Sequence, residues 1–150
     1  MTTIPDTAAI VVRASHVPGP PQGHWTYEDY AKLGDLDGYR FEIIDGVLYM
    51  APAPIPEHER VAMIIGARLV AAVEDTGLGQ VFGSPDIDIG PTTVRPDAAV
   101  VLNEHSDIIA ENRLIGPPDL VVEIASPSTS AYDRDPEAGK RGAYARIGVS

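Results

Sequence analysis

A single glutamate interrupts the best candidate for a buried strand in the chain, and this feature restricts the possible folds strongly. The stretch is DLVVEIA, residues 119–125, and Ser126-Pro127-Ser128 ends it. Its composition predicts a buried strand, and a carboxylate inside such a strand must be paired, protonated or bound to a metal. The alternative is a glutamate on the solvated face of an edge strand. On this feature alone, both readings of Glu123 stay open.

Two more acids stand among apolar neighbours. Asp97 follows Arg95-Pro96 and opens the run of residues 98–102, and Glu42 lies within Tyr39–Ile44. Taken alone, Asp97 is more simply explained as an acid at the loop end of a strand. Glu42 is more simply explained as a cross-strand partner of Arg40 or another basic residue. Taken together, carboxylates on neighbouring strands are the hard oxygen ligands that Mg²⁺ accepts while it keeps several waters.

A lysine and a histidine complete the set of candidate site residues. Lys140 follows the Glu123 strand on a predicted helix, from which it would stabilise charge on a phosphate or orient a water. The alternative for Lys140 is an exposed helix lysine, which is the commoner case. His58 opens a long predicted helix without the second histidine of a zinc motif, so it is expected to cap the helix or to line the rim of the site.

The composition restricts the classes of function. The 150 residues fit one domain, and the absence of cysteine excludes a disulfide framework, a thiolate zinc site and a cysteine nucleophile. No Walker A, GxGxxG or GxSxG pattern occurs, so neither nucleotide binding nor a serine-hydrolase elbow has support. The net charge of −11 opposes tight unaided binding to nucleic acid. Without a membrane-length apolar run or a signal peptide, the chain is expected to be cytoplasmic.

The pattern of breakers and apolar residues predicts one α/β domain after a flexible tail. The tail covers residues 1–23, which are rich in proline and glycine near their end, and the domain covers 24–150. Asp45-Gly46 predicts a two-residue hairpin turn, and Thr26 with Asp29 predicts a helix start. The predicted helices cover residues 26–33, 57–75, 106–112 (weakly) and 135–147, and the predicted strands cover 40–44, 47–50, 80–82, 86–89, 97–102 and 119–125.

These residues resemble a known nuclease family. The runs YRFEIIDG at 39–46, RPD at 95–97 and PDLVVEIASPST at 118–129, with Lys140 and Tyr144 after them, look like the small bacterial restriction-endonuclease branch of the PD-(D/E)XK superfamily. The resemblance covers roughly residues 26–150. It implies a restriction-endonuclease-like core, a mixed sheet flanked by helices, and Mg²⁺-dependent hydrolysis of phosphodiester bonds in DNA, with Mn²⁺ as a substitute ion.

The resemblance also implies roles for individual residues. Asp97 and Glu123 would bind the metal with the backbone carbonyl of Ile124, and Glu42 would be an additional acid. The lysine expected two residues after Glu123 is Ala125, and Lys140 would supply the amine from the following helix. Members of this branch continue into a further strand, so the resemblance implies that this chain lacks the last C-terminal strand.

Other functions stay open at this stage. A non-catalytic interaction or regulatory module on a nuclease fold is the main alternative, because fold alone does not establish function. RNA or a small phosphate ester is an alternative substrate. A homodimer, in which two sites address two strands, is implied by the family alone.

Overall fold

The computed structural model describes residues 12–33, 38–126 and 140–149, and these residues form a mixed α/β arrangement. In chain order the elements are β1 (Val12–Arg13), α1 (Tyr27–Ala31), β2 (Tyr39–Ile44), β3 (Val47–Pro52), α2 (Pro56–Val73), β4 (Gly79–Gly83), β5 (Ile87–Ile89), β6 (Thr92–Val94), β7 (Ala98–Leu102), a 3₁₀ helix (Asn103–Ile108), β8 (Leu114–Ile115), β9 (Leu120–Val122) and α3 (Lys140–Arg146). The predicted fold class is therefore confirmed.

The strands form two sheets. The larger sheet has the order β1-β3-β2-β6-β5-β8, and the smaller has the order β4-β7-β9. Every pairing is antiparallel except that of β5 with β8. Helix α1 packs against β2, and α2 packs against β4 and β7. Among the described residues, no helix combines the length and the hydropathy needed to cross a bilayer.

The predicted hairpin joins β2 to β3. Asp45 and Gly46 both have positive φ, 50° and 78°, as a two-residue turn of this kind requires. Ile44 pairs with Val47, so the turn is tight and fixes the register of the whole hairpin. A side chain at position 46 would meet the backbone oxygen of Gly23 at 2.3 Å, so the close approach of this segment also requires glycine.

The segment before α1 belongs to the folded structure. The composition predicts a flexible tail up to residue 23, whereas Val12–Arg13 pairs with β3 and Ala14 is buried. The side chain of Gln22 accepts a hydrogen bond of 2.8 Å from the Leu48 amide. For residues 12–23 the tail prediction is therefore wrong, because backbone pairing with the hairpin outweighs the local preference of proline and glycine for irregular structure. Residues 1–11 of the predicted tail lie outside the described residues.

The interior divides into two clusters of buried apolar residues. One lies around the hairpin and includes Trp25, Phe41, Ile43, Leu48 and Met50. The other joins the two sheets to α3 and includes Ile87, Val94, Ala99, Val101 and Tyr144. The central strand of the smaller sheet is β7, and four of its five residues are buried.

The strand containing the apolar run 119–125 is shorter and less buried than predicted. Strand β9 covers only Leu120–Val122 and stands at the outside of the smaller sheet, where Leu120 is 42% exposed. Glu123 follows the strand instead of lying within it. The apolar composition of the run predicts burial but does not reveal that β7, rather than β9, takes the central place.

The helix predictions are confirmed in part. Helix α1 begins at the predicted Thr26 cap, where Thr26 and Asp29 exchange hydrogen bonds in a capping box. Helix α2 forms as predicted, but its apolar face is only half-buried, and Ile64 is 43% exposed. A 3₁₀ helix at Asn103–Ile108 replaces the weak helix predicted at 106–112, and the patterns do not predict the short strands β6 and β8.

Helix α3 ends as predicted, at a glycine. Gly148 has a φ of 93°, and the amide of Val149 donates to the carbonyl of Tyr144 at 3.0 Å. The predicted start of this helix at Asp135 lies outside the described residues. At its end, Arg146 contacts Asp45 of the hairpin turn at 3.2 Å, which places α3 beside the hairpin.

Candidate active site

Asp97 and Glu123 lie at the same end of the smaller sheet. Asp97 directly precedes β7 and Glu123 directly follows β9. Because the two strands are antiparallel and Ala98 pairs with Val122, the two acids occupy neighbouring positions at the strand ends. The amide of Asp97 donates to the carbonyl of Val122 at 2.9 Å, which holds the two chains together at this point.

The carboxylate of Asp97 is buried and engaged through one oxygen. Its Oδ2 accepts a hydrogen bond of 2.7 Å from the Ile124 amide, and His58 Nε2 lies 3.3 Å from the same oxygen. The Asp97 side chain is only 7% exposed. His58, in the first turn of α2, therefore lies next to the Asp97 carboxylate and not only at the rim of the site.

The ammonium of Lys140 joins Glu42 to Glu123. Lys140 Nζ lies 2.8 Å from Glu42 Oε1 and 2.7 Å from Glu123 Oε1, and it donates to the Arg95 carbonyl at 3.2 Å. An ammonium has three hydrogens, so these three acceptors use all of them. The Lys140 side chain is buried, and the alternative of an exposed helix lysine is therefore wrong.

Glu42 and Glu123 both pair with Lys140, so the basic partner expected for Glu42 is Lys140 and not Arg40. Glu42 contacts Lys140 and also accepts a hydrogen bond of 2.9 Å from the Arg95 amide, whereas Arg40 pairs with Glu59 at 3.7 Å. Glu123 is largely buried and paired, so it does not lie on a solvated face.

Burial and charge shift the pKa values of the paired groups. Burial raises the pKa of Glu123 to about 7, and repulsion from Glu42 adds to this, against the attraction of Lys140 and the hydrogen bond from Tyr144. Burial alone would lower the pKa of Lys140, but the attraction of Glu42 and Glu123 outweighs it and raises that pKa above its ordinary value. Lys140 therefore stays charged at neutral pH, while Glu123 titrates near neutrality.

Tyr144 is a site residue to which the sequence patterns assign no role. Its hydroxyl donates a hydrogen bond to Glu123 Oε1, and burial, followed by the charge of Glu123, raises its pKa well above the ordinary value. Tyr144 stands four residues after Lys140 on α3, so both side chains lie on one helix face. This spacing of four residues is the sequence signal that could have identified Tyr144. It brings two donors, the Lys140 ammonium and the Tyr144 hydroxyl, to the same oxygen, Glu123 Oε1.

The predicted site residues form two adjacent groups. Glu42, Glu123 and Lys140 make up the first, and Asp97, His58 and the amide of Ile124 make up the second. The backbone links the two groups in two places. Arg95, which contacts Glu42 and Lys140, is two residues before Asp97, and Glu123 directly precedes Ile124. The structure gives the Ile124 amide a partner in the site, and the predicted role of its carbonyl as a metal ligand stays a prediction.

The donor set suits a hard divalent cation with few protein ligands. Within the described part of the chain, the contacts of Asp97 are made through Oδ2 and those of Glu42 and Glu123 through Oε1, so each carboxylate has a second oxygen that these contacts do not use. Within the described ranges, no three acidic or histidine side chains are grouped closely enough to hold a metal by themselves. Mg²⁺ accepts one or two carboxylates and completes its shell with water, so Asp97 and Glu123 fit this ion.

Comparison with known proteins places this arrangement in a family. The family model Uma2, described as "Putative restriction endonuclease", matches residues 27–150. The chain belongs to this family. The Uma2 match covers β2 to α3 and so includes every residue of the two groups. No curated protein matches the sequence.

A solved structure shares the Uma2 fold of this chain. It is the crystal structure of a putative nuclease belonging to DUF820 from Anabaena variabilis ATCC 29413, with a TM-score of 0.57 and 20% sequence identity. The similarity covers 69% of this chain and 59% of that one. The chain thus matches somewhat over half the length of the solved protein, and the likeness supports the restriction-endonuclease-like fold.

Proposed function

We propose that this chain is a Mg²⁺-dependent endonuclease that hydrolyses phosphodiester bonds of DNA. The observation that carries the proposal is the burial of Lys140 between Glu42 and Glu123 beside Asp97, at one end of a sheet in a family described as restriction endonucleases. A buried lysine between two acids is expensive to maintain for stability alone. Perturbed and paired titratable groups of this kind concentrate at functional sites.

Asp97 and Glu123 are the proposed ligands of the cation, with the carbonyl of Ile124 as a third. Held by these residues, a Mg²⁺ ion would supply Lewis-acid chemistry, the polarisation of a phosphate and the activation of water. Mn²⁺ accepts similar oxygen ligands and is expected to substitute. The hydrogen bond from the Ile124 amide to Asp97 Oδ2 fixes the orientation of the carboxylate, which leaves Oδ1 for the ion.

Lys140 is the proposed source of positive charge for the phosphate. Its three hydrogens are all engaged by protein acceptors, so contact with a water or a phosphate oxygen requires the release of one of them. The bond of 3.2 Å to the Arg95 carbonyl is the longest of the three and is an uncharged contact. We therefore expect this bond to be exchanged, while the two carboxylates keep the ammonium in position.

Glu42 and Tyr144 are the proposed positioning residues. Glu42 joins Lys140 to the Arg95 amide, and Tyr144 holds the oxygen of Glu123 that faces Lys140. Both contacts restrict Lys140 and Glu123 to one arrangement. Preorganised charge of this kind stabilises a phosphoryl transition state without reorganisation during the reaction.

The acidic net charge of −11 is consistent with a reaction that depends on the cation. Repulsion between the chain and a phosphate backbone weakens unaided binding, and divalent ions at the acids reduce that repulsion. We expect activity to require millimolar divalent salt. A homodimer that addresses both strands of a duplex stays part of the proposal.

The test is a nicking assay on supercoiled plasmid with Mg²⁺, Mn²⁺ or EDTA, in parallel with labelled DNA and RNA strands. Asp97→Asn and Glu123→Gln should abolish cleavage while circular dichroism remains unchanged. Arg141→Ala, a change at an exposed neighbour of Lys140, is the matched control and should cleave at the parental rate. Equal cleavage by the Glu123→Gln variant would contradict the proposal, and cation binding without cleavage would favour a non-catalytic interaction module.

A further inference from the structure

An aromatic pocket lies beside the group formed by Glu42, Glu123 and Lys140, which is called the acid–lysine group below. It is a cavity of about 400 Å³ between α1 and β2, within the range of about 300–1,000 Å³ that is usual for ligand sites. The aromatic residues Tyr27, Tyr30, Tyr39 and Phe41 line it, together with the charged residues Arg40, Asp86 and Arg95. The chain has nine aromatic residues, one Trp, six Tyr and two Phe, so nearly half of them surround this one space.

The polar groups of the aromatic pocket satisfy one another. Asp86 Oδ1 accepts a hydrogen bond of 2.8 Å from Arg95 Nε and another of 3.0 Å from the Tyr30 hydroxyl. Burial, followed by the charge of Asp86, raises the pKa of Tyr30, so its phenol stays neutral at physiological pH. The pocket therefore offers aromatic walls with two guanidiniums, those of Arg40 and Arg95, and one carboxylate. Arg95 is paired with Asp86, and Arg40 is paired with Glu59 at 3.7 Å.

The aromatic pocket and the acid–lysine group share backbone. The side chain of Arg95 lines the pocket, while its amide donates to Glu42 and its carbonyl accepts from Lys140. On β2, Phe41 lines the pocket and the next residue is Glu42. A ligand in the pocket would thus lie one residue from Glu42 along β2 and two residues from Asp97 along the segment that contains Arg95.

One aromatic wall is fixed in place before any ligand arrives. The guanidinium of Arg113 lies 4.0 Å from the centre of the Tyr27 ring, and Arg113 Nε donates to Asp88 at 2.9 Å. The centres of the Tyr27 and Tyr30 rings are 5.9 Å apart. A ring that is already oriented loses little conformational entropy when a second flat group stacks on it.

The chemistry of the pocket selects the ligand class. A phosphate would face the carboxylate of Asp86, and an aliphatic group could not stack on the aromatic residues that line the pocket. A planar heterocycle can stack on the aromatic residues, because every base has a face that stacks on aromatic rings. Its donors and acceptors can bond to Asp86 and Arg95 at the same time. We propose that the aromatic pocket binds an unstacked nucleobase of the substrate strand.

This inference rests on the proposed nuclease function and deepens it. In a duplex the bases are stacked and paired, so a base can enter the pocket only from a single strand or after extrusion. The substrate class is therefore nucleic acid with an unpaired base near the bond that is cut. Tyr27 is the proposed stacking residue, and Arg95 and Asp86 are the proposed contacts to the edge of the base.

Binding of labelled oligonucleotides to the full chain tests the pocket without relying on cleavage. Fluorescence anisotropy with EDTA, in monovalent salt of about 0.15 M that screens the repulsion between the acidic chain and the phosphates, compares a short single strand, the same strand with abasic sugars at its central positions, and the corresponding duplex. All phosphates are kept in the abasic strand, so a difference between the two single strands reports base contacts. We expect the intact strand to bind about tenfold tighter than the abasic strand.

Two variants at one position distinguish stacking from charge. Tyr27→Leu should bind the intact and abasic strands alike, whereas Tyr27→Phe keeps the ring and should retain the parental preference. The comparison of strands on the parent chain needs no variant, so it stands even if Tyr27→Leu does not fold. Equal binding of intact and abasic strands by the parent, tighter binding of the duplex, or no binding of any strand would overturn the pocket proposal.

Cleavage with Mg²⁺ is measured separately, so the two proposals can fail separately. Cleavage by a parent that binds intact and abasic strands equally would leave the nuclease proposal standing and remove the pocket. A preference for the intact strand without cleavage would support the pocket and remove the nuclease proposal.

Discussion

Lys140 and Glu123 form a buried ion pair in which Nζ lies 2.7 Å from Oε1. The pair joins α3 to the end of β9, and through Glu42 it also joins both to the hairpin of the larger sheet. Three elements that are distant in sequence thus meet at one ammonium. The arrangement makes the stability of the fold and the proposed chemistry of the site depend on the same groups.

Removing the lysine should destabilise the chain strongly at neutral pH. Lys140→Met leaves Glu42 and Glu123 buried together without a counter-charge, and breaking a buried pair in this way costs about 3–5 kcal/mol. Urea unfolding at pH 7 measures the loss. Arg141→Ala, the exposed neighbour, should change the free energy of unfolding by less than about 0.5 kcal/mol. Equal effects of the two substitutions would contradict the role of Lys140 as the counter-charge.

The stability of the metal-free protein should fall as the pH rises from about 4.5 to about 7. The pKa of Glu123 is about 7 in the folded chain against an ordinary 4.5, so the folded state retains a proton that the unfolded state has lost. The stabilisation from Glu123 is complete below the ordinary pKa of 4.5, and it is lost as the pH rises past the folded-state pKa of about 7. Thermal unfolding of the parent and of Glu123→Gln across this range measures it. The difference in melting temperature between parent and variant should decrease with pH, and a constant difference would be the contrary result.

Removing the tyrosine hydroxyl should make Glu123 harder to ionise. The hydrogen bond from Tyr144 favours the carboxylate and lowers its pKa, so Tyr144→Phe should move the pKa of Glu123 above about 7. Carbon-13 NMR of the glutamate carboxyls follows the titration directly. The cost in free energy of unfolding should be about 1 kcal/mol. An unchanged Glu123 titration in a folded Tyr144→Phe chain would show that the hydroxyl has no such effect.

Asp97→Asn should separate folding from cation binding. The amide oxygen of asparagine can still accept the hydrogen bond from the Ile124 amide, so we expect the free energy of unfolding to be preserved within about 1 kcal/mol. Loss of one carboxylate should remove most of the affinity for Mg²⁺. Thermal unfolding with and without Mg²⁺ tests both points. The parent should gain melting temperature with added Mg²⁺ and the variant should not.

Local signals predict the elements that depend on local chemistry. The capping pair Thr26 and Asp29, the Asp45-Gly46 turn and the Gly148 stop act within a few residues, and all three are confirmed. The order of strands depends instead on which surfaces meet. An apolar run such as 119–125 has the same composition in a central strand as in an outer one, so composition misassigns the burial of β9.

The candidate site also has one part that the sequence predicts and another part that depends on contacts between distant segments. Isolated acids among apolar residues and the family resemblance select Asp97, Glu123, Glu42 and Lys140 from the sequence. The sequence does not predict that one ammonium contacts both glutamates, nor that His58 lies 3.3 Å from Asp97, because these contacts join segments far apart in the chain. Asp86, Tyr30 and the aromatic pocket likewise depend on packing between α1 and β2, which no spacing in the sequence encodes.

The most direct test of the central claim is calorimetric titration of Mg²⁺ and Mn²⁺ into the purified chain and into the double variant Asp97→Asn/Glu123→Gln. Substrate phosphate, supplied as a short DNA strand, is included in a parallel titration because Mg²⁺ is bound in part by phosphate oxygens at such sites. Coordination of the cation by Asp97 and Glu123 predicts saturable binding by the parent and none by the folded double variant. Equal binding by both, or no binding by the parent with the DNA strand present, would contradict it.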